Sequence, residues 1–174
     1  MFGTSPVGAA RVRQDHAAPE AGFRELMSSF PTGVSIVTAI AGDSRPHGLT
    51  CTSLTSVTMR PPTMLVCLNT GSGTLGALLE TGRFAVNLLD VRGQRAAEVF
   101  SSAHQNRFAA VAWQPAPVLG VPWLTEDAFA LAECQVSEVT EVGDHAAVFA
   151  EVAAVRHHAG QVLLYGERRF AAWR

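Results

Sequence analysis

Gly48-Leu49-Thr50-Cys51-Thr52-Ser53-Leu54-Thr55-Ser56-Val57-Thr58, closed by Arg60-Pro61-Pro62, is the stretch around which the chain is organised. Small hydroxylated and apolar residues alternate along it, the period-two pattern of a β-strand with one dry face and one polar face. Thr50, Thr52 and Ser56 share the polar face, Ser53 and Thr55 fall on the other, and no charge intervenes before Arg60. A strand that only closes a core seldom carries so many hydroxyls. One lying beside a flat polar ligand gains from them, because each can donate or accept and none is bulky. Taken alone, the pattern fits a ligand-facing strand and a threonine-rich edge strand equally well.

Upstream, Phe23 to Phe30 has apolar residues at helical spacing and stops at Pro31, which predicts a short helix packed over one end of a sheet. Val34 to Ile40 is rich in β-branched residues and reads as a strand, joined to the central stretch by the turn residues Ala41 to Pro46. Downstream, Thr63 to Asn69 is a nearly continuous apolar run, expected as a strand buried on both faces. It empties into Thr70-Gly71-Ser72-Gly73-Thr74, ahead of a helical pattern that begins at Leu75. Ser72 and Thr74 are good N-cap types, and the free N–H groups of a helix N-terminus attract anions, so the turn fits a plain cap or a phosphate site.

Phe84 to Leu89 is a further strand, residues 93–108 predict one or two short helices, and the proline-bearing segment Trp113 to Trp123 predicts an ordered loop or lid. Phe129 to Val139 and His145 to Val155 flank Gly143-Asp144 as a hairpin, and Val162 to Tyr165 with Arg168 to Phe170 ends the sheet. Strands outnumber helices and hairpins join them. The expected fold is therefore mainly β, an antiparallel barrel with a few short helices.

A chain of 174 residues suffices for one domain, here from about residue 21 to 174, after a loose Ala-, Pro-, Gly- and Arg-containing tail over residues 1–20. A net charge of -2 offers nothing to attract nucleic acid or an anionic membrane. All 13 basic residues are arginines, which removes Schiff-base lysine chemistry and the P-loop lysine. The three cysteines, Cys51, Cys67 and Cys134, fit neither a zinc spacing nor a disulfide framework, and no apolar run or signal core reads as a membrane or export segment. A reduced, cytoplasmic setting is expected. His157-His158, near a turn, is expected at the surface rather than on a metal, and Glu133 as a solvated or paired carboxylate.

Taken in order, Phe30-Pro31-Thr32-Gly33 through Thr38, Gly48 through Val57, Pro61-Pro62, Leu65 to Leu68, Phe84 to Leu89, Arg107-Phe108, Gly143-Asp144-His145 and Leu163 to Tyr165 resemble the short-chain flavin reductases from about Phe23 to Trp173. These are the small components of two-component flavin-dependent monooxygenases. The resemblance implies a split β-barrel, usually a homodimer, that binds FMN or FAD and reduces it with NADH or NADPH for a partner oxygenase. It implies that Thr50, Cys51, Thr52, Ser53 and Ser56 line the isoalloxazine and ribityl chain. Cys67, Leu68 and Asn69 would lead to the phosphate, held by Ser72 and Thr74, with Phe108 as a wall of the site or part of the core. Backbone N–H groups facing the flavin would stabilise negative charge that builds up on reduction. His145 is implied beside the nicotinamide, orienting it or supplying a proton. Gly73 departs from the pattern, since many members carry an arginine there; either phosphate affinity is weaker or another arginine substitutes. Two other readings keep the barrel: a flavoprotein acting on an organic substrate near Trp113 to Trp123, and a non-reductase flavin-binding or interaction module.

Overall fold

The computed structural model describes residues 18–103 and 106–173. The expected tail falls almost wholly outside these residues. In chain order the elements are α1 (Glu20–Ser28), β1 (Thr32–Gly33), β2 (Ser35–Ile40), β3 (Pro46–Cys51), β4 (Leu54–Met59), β5 (Pro62–Asn69), α2 (Gly73–Thr81) and β6 (Arg83–Leu89). A 3-10 turn at Val91–Gly93 leads into α3 (Gln94–Ser101), and a second covers Arg107–Ala110. Then come β7 (Trp113–Pro115), β8 (Pro122–Leu124), β9 (Ala128–Val142), β10 (His145–His157), β11 (Leu163–Gly166) and β12 (Arg169–Ala172).

Seven strands form one antiparallel sheet in the order β3-β2-β6-β9-β10-β5-β4. Smaller sheets, β1-β11-β12 and β7-β8, lie beside it. β2 and β6 are buried along nearly their whole length, because alternate side chains serve two cores. On one face Val37, Ala39, Phe84 and Val86 pack with Leu75 and Leu78 of α2. On the other, Ile36 and Leu89 pack with Ala97 and Phe100 of α3 and with Leu163. Each large side chain so buried contributes about 1.5–3 kcal/mol.

β3 is an edge strand bordered by both helices. Leu49 and Cys51 pack with the α2 core. On the other side the Thr50 hydroxyl donates to the Ala97 carbonyl of α3 at 2.6 Å. Gly48 is required here by close approach: a Cβ would lie 2.6 Å from the Phe100 ring.

Four expectations are corrected by the structure. The stretch from Gly48 to Thr58 is two strands, since β3 pairs with β2 and β4 with β5 at opposite edges of the sheet, and the chain crosses between them at Thr52-Ser53. The Ser53 carbonyl marks the crossing by accepting from the Cys67 N–H at 3.1 Å. β5 is not buried on both faces; Val66 and Leu68 enter the core, whereas Leu65 and Cys67 face a groove. The segment Trp113 to Trp123 is a hairpin rather than a loop, with Ala116 and Val121 in a small core. Buried Glu133 holds its tip by accepting from the N–H groups of Val118 and Leu119. α1 forms where expected, but buries none of its residues.

Candidate functional site

Three cavities adjoin along β3 and the Thr52-Ser53 crossing. A cleft of about 570 Å³ opens between the turn before α2, β3 and the end of α3, and its walls include His47, Thr50, Ser72, Thr74, Arg107 and Phe108. A cavity of about 300 Å³ follows, lined by Thr50, Thr52, Ala97, Ser101, Tyr165 and Phe170. Beyond it lies a mostly apolar groove of about 580 Å³ between α1 and β5, with Phe23, Met27, Thr52, Ser53, Leu65 and Cys67 among its walls. Thr50 and Ser101 belong to the first two cavities, and Thr52 and Tyr165 to the last two. An anion-suited end, a hydroxylated neck and an apolar slot thus lie in one run.

The turn before α2 builds the polar end. Asn69 accepts at its side-chain oxygen from the Gly71 N–H at 2.9 Å and at its carbonyl from the Ser72 N–H at 3.0 Å. Ser72 is the N-cap, its hydroxyl accepting from the Leu75 N–H at 3.1 Å. The N–H groups of Gly73 and Thr74, in the first turn of the helix, have no acceptor within it. A side chain at Gly73 would meet the imidazole of His47, whose Nδ1 lies 3.1 Å from the Cβ position. His47 therefore stands over the turn from β3. Arg107 donates through Nη1 to the Gly48 carbonyl at 2.7 Å and through Nη2 to the Ser102 carbonyl. Phe108 packs edge-on against Phe100 at 5.0 Å and Trp113 at 5.5 Å, so Phe100 lies in the core while its edge borders the cleft.

The anticipated residues divide accordingly. Thr50, Ser72, Thr74 and Phe108 line the cleft, and Thr52, Ser53 and Cys67 line the groove. Cys51 and Leu68 point into the core, which leaves their backbone for any contact. Burial pushes the Cys51 thiol up to about 11, so it stays neutral at physiological pH. Ser56, opposite Met64, is exposed on β4. His145 is exposed at the start of β10, opposite Asn69 in register. Its Nδ1 lies 2.8 Å from the Asp144 carboxylate, which holds that carboxyl below its ordinary range. An Nδ1–H donated there leaves Nε2 as the accepting nitrogen of a neutral ring. The Thr70 N–H donates to the Asp144 carbonyl at 2.9 Å, clipping the His145 turn to the turn before α2.

Sequence reasoning missed His47, Arg107 and Tyr165 as wall residues. His47 immediately precedes the quoted stretch, and Arg107-Phe108 stood out only as a pair. Nothing local tied either residue to the glycine-rich turn. His157 and His158 do lie against aromatic rings, Phe129 at 5.6 Å and Trp123 at 5.8 Å. Among the described residues, no helix is long and apolar enough to cross a membrane.

Comparison with known proteins identifies the family. A family model described as "Flavin reductase like domain" matches residues 27–174. A flavin reductase (NADPH) of Lentzea aerocolonigenes is 58% identical over 153 residues, covering 88% of this chain and 89% of that protein. A flavin reductase (NADH) of Kitasatospora aureofaciens is 40% identical, covering 87% and 80%. Among solved structures, the NADH:FAD oxidoreductase SgcE6 of Streptomyces globisporus C-1027, in complex with NAD and FAD fragments, superposes with a TM-score of 0.82 at 30% identity, over 88% of this chain and 92% of that one. The match over residues 27–174, with relatives at 58% and 40% identity, places the chain in the flavin reductase-like domain family.

Proposed function

We propose that the protein is an NAD(P)H-dependent flavin reductase that takes FMN or FAD and supplies reduced flavin to a partner monooxygenase. The observation that carries this reading is the run of adjoining cavities from the α2 turn to the apolar groove. Flavin reductases at 58% and 40% identity support the activity. The partner is supported by a relative named as the reductase subunit of a flavin-dependent monooxygenase, HsaB of Mycobacterium tuberculosis.

The residues present fit a flavin phosphate. Among the described residues the cleft is lined by the start of α2, whose first N–H groups lack intrahelical acceptors, by the Thr74 hydroxyl and by a half-buried guanidinium, with no carboxylate side chain. Bound flavin would supply the acceptor for a hydride from the nicotinamide. The chain's own part is then to bind, orient and exclude water. Ser72 holds the turn, and the Gly73 and Thr74 N–H groups take phosphate oxygens. Thr50 has its hydroxyl proton committed to Ala97 and offers lone pairs to the neck. Leu65, Cys67, Phe23 and Met27 keep the groove dry. His145 presents Nε2 to the nicotinamide, and Asp144 fixes its ring.

The sheet serves as a split barrel, since its two edge strands are joined by only Thr52-Ser53 and so must curl towards each other. The working unit is a homodimer that covers the apolar side of α1. The three free cysteines suit a cytoplasmic setting. The test follows absorbance at 340 nm with purified protein, FMN or FAD, and NADH or NADPH in turn. Rapid oxidation with added flavin is expected; flavin binding without nicotinamide oxidation would overturn the reading.

A further inference from the structure

The cleft before α2 has more room and more positive charge than one phosphate uses. At about 570 Å³ it holds roughly twenty times the ~30 Å³ share of a water molecule, of which a terminal phosphate fills a small part. Among the described residues no lining side chain is a carboxylate, whereas His47 and Arg107 are both able to carry positive charge.

Arg107 is the informative one. Its hydrogen bonds to described residues go to neutral carbonyls, those of Gly48 and Ser102. Among the described residues no carboxylate lies within ion-pair distance of it. Among the described residues its buried Nε has no hydrogen-bond partner. A guanidinium has five N–H donors, so most of its donors and all of its charge remain after it has tied β3 to the end of α3. A neutral donor would make that tie without the desolvation cost of a half-buried cation, a cost that a visiting anion offsets.

We propose that Arg107 receives the second phosphate of a flavin dinucleotide, so that FAD rather than FMN is the flavin this chain prefers. The inference rests on the flavin reductase reading and names its substrate. The first phosphate takes the N–H groups of Gly73 and Thr74, with His47 beside it. The second reaches the guanidinium, whose planar fork suits phosphate oxygens.

The test measures the affinities of FMN and FAD, by quenching of flavin fluorescence, for the unmodified protein, Arg107→Met and Ala103→Asp. Ala103 lies exposed on the rim of the same cleft. A carboxylate there compensates the guanidinium while leaving its bonds to Gly48 and Ser102 in place, so this variant decides the matter if Arg107→Met does not fold. The unmodified protein is expected to bind FAD more tightly than FMN, and either variant to lower that ratio about tenfold or more. Equal losses for both flavins, or no initial preference for FAD, would overturn the proposal. So would a loss confined to NADPH relative to NADH, which assigns the guanidinium to the nicotinamide dinucleotide. If the flavin ratio behaves as expected but neither flavin supports NAD(P)H oxidation, the reductase reading fails and the dinucleotide preference stands.

Discussion

At the scale of single residues, the groups proposed to act differ widely in how far the fold already commits them. The Thr50 hydroxyl and the Ser72 hydroxyl are already engaged by the fold, whereas the His145 Nε2 is unengaged in the pairing with Asp144. Replacing His145 with Ala is expected to lower turnover by about a hundredfold if the imidazole handles a proton, and to raise the KM for the nicotinamide if it also orients it. Steady-state kinetics at 340 nm separate the two, and unchanged values of both would remove the residue from the mechanism. The pH dependence has a definite sign. The imidazole first of all holds the Asp144 carboxyl below its ordinary 3.8, so the pair survives above that value and is lost as pH falls through the lowered one. Alternation along a strand made Thr50 and Thr52 legible from sequence, and capping chemistry made Ser72 legible. The same alternation turns the Cys51 side chain into the core, leaving its backbone for any contact with the neck. Arg107 was not legible, because its acceptor at Gly48 lies 59 positions away and only the fold joins them.

At the scale of elements, the site depends on ties between neighbouring strands and turns. Asp90, at the end of β6, accepts from the Arg92 N–H at 3.0 Å, from Arg92 Nε at 2.8 Å and from the Gln161 N–H at 2.9 Å. Gly160 must be a glycine here, since a Cβ would lie 2.4 Å from Phe129 Cβ and 2.8 Å from Asp90 Oδ2. Burial pushes the Asp90 carboxyl up, but these hydrogen bonds outweigh it and hold the group below 3.8. A depressed pKa contributes stability above the unfolded value, and that contribution is lost as pH falls through the folded one. Asp90→Asn is therefore expected to destabilise the protein by about 2 kcal/mol near neutral pH. The gap from the unmodified protein should shrink below pH 3.8. Urea melts across pH check it; a gap that stays constant with pH would show that the charge does not matter. The hairpins around Gly143-Asp144 and between β2 and β3 were legible from their turn residues and β-branched runs. The break at Thr52-Ser53 was not, because the alternation continues through it and only partner choice divides the strand. The β7-β8 hairpin was hidden for a related reason: its prolines read locally as loop, while Glu133, far along the chain, anchors its tip.

At the scale of the whole molecule, the apolar side of α1 requires a cover. Phe23, Leu26 and Met27, with Phe30 just beyond the helix, are 59%, 65%, 46% and 63% exposed. A helix of nine residues is too short to persist in water by its own propensity. The Ser28 carbonyl ties it to the rest of the chain by accepting from the Glu167 N–H at 2.6 Å. The edge strand β4 is similarly open, with Val57 and Met59 48% and 78% exposed, and an uncovered edge of this kind invites pairing. Since Phe23 and Met27 also wall the apolar groove, a second copy seated on α1 would complete the groove as well as hide the helix. Assembly and activity should then fail together. Sedimentation at micromolar concentration is expected to give a dimer for the unmodified protein and a monomer for the double substitution Leu26→Glu, Met27→Glu. The monomer should retain its folded circular dichroism yet lose at least about tenfold in kcat/KM, because about 1.4 kcal/mol of lost ligand packing is enough for that. A monomeric unmodified protein would refute the dimer outright. A monomeric variant with full activity would show that the partner copy covers the helix without contributing to the groove, leaving flavin binding to one chain alone.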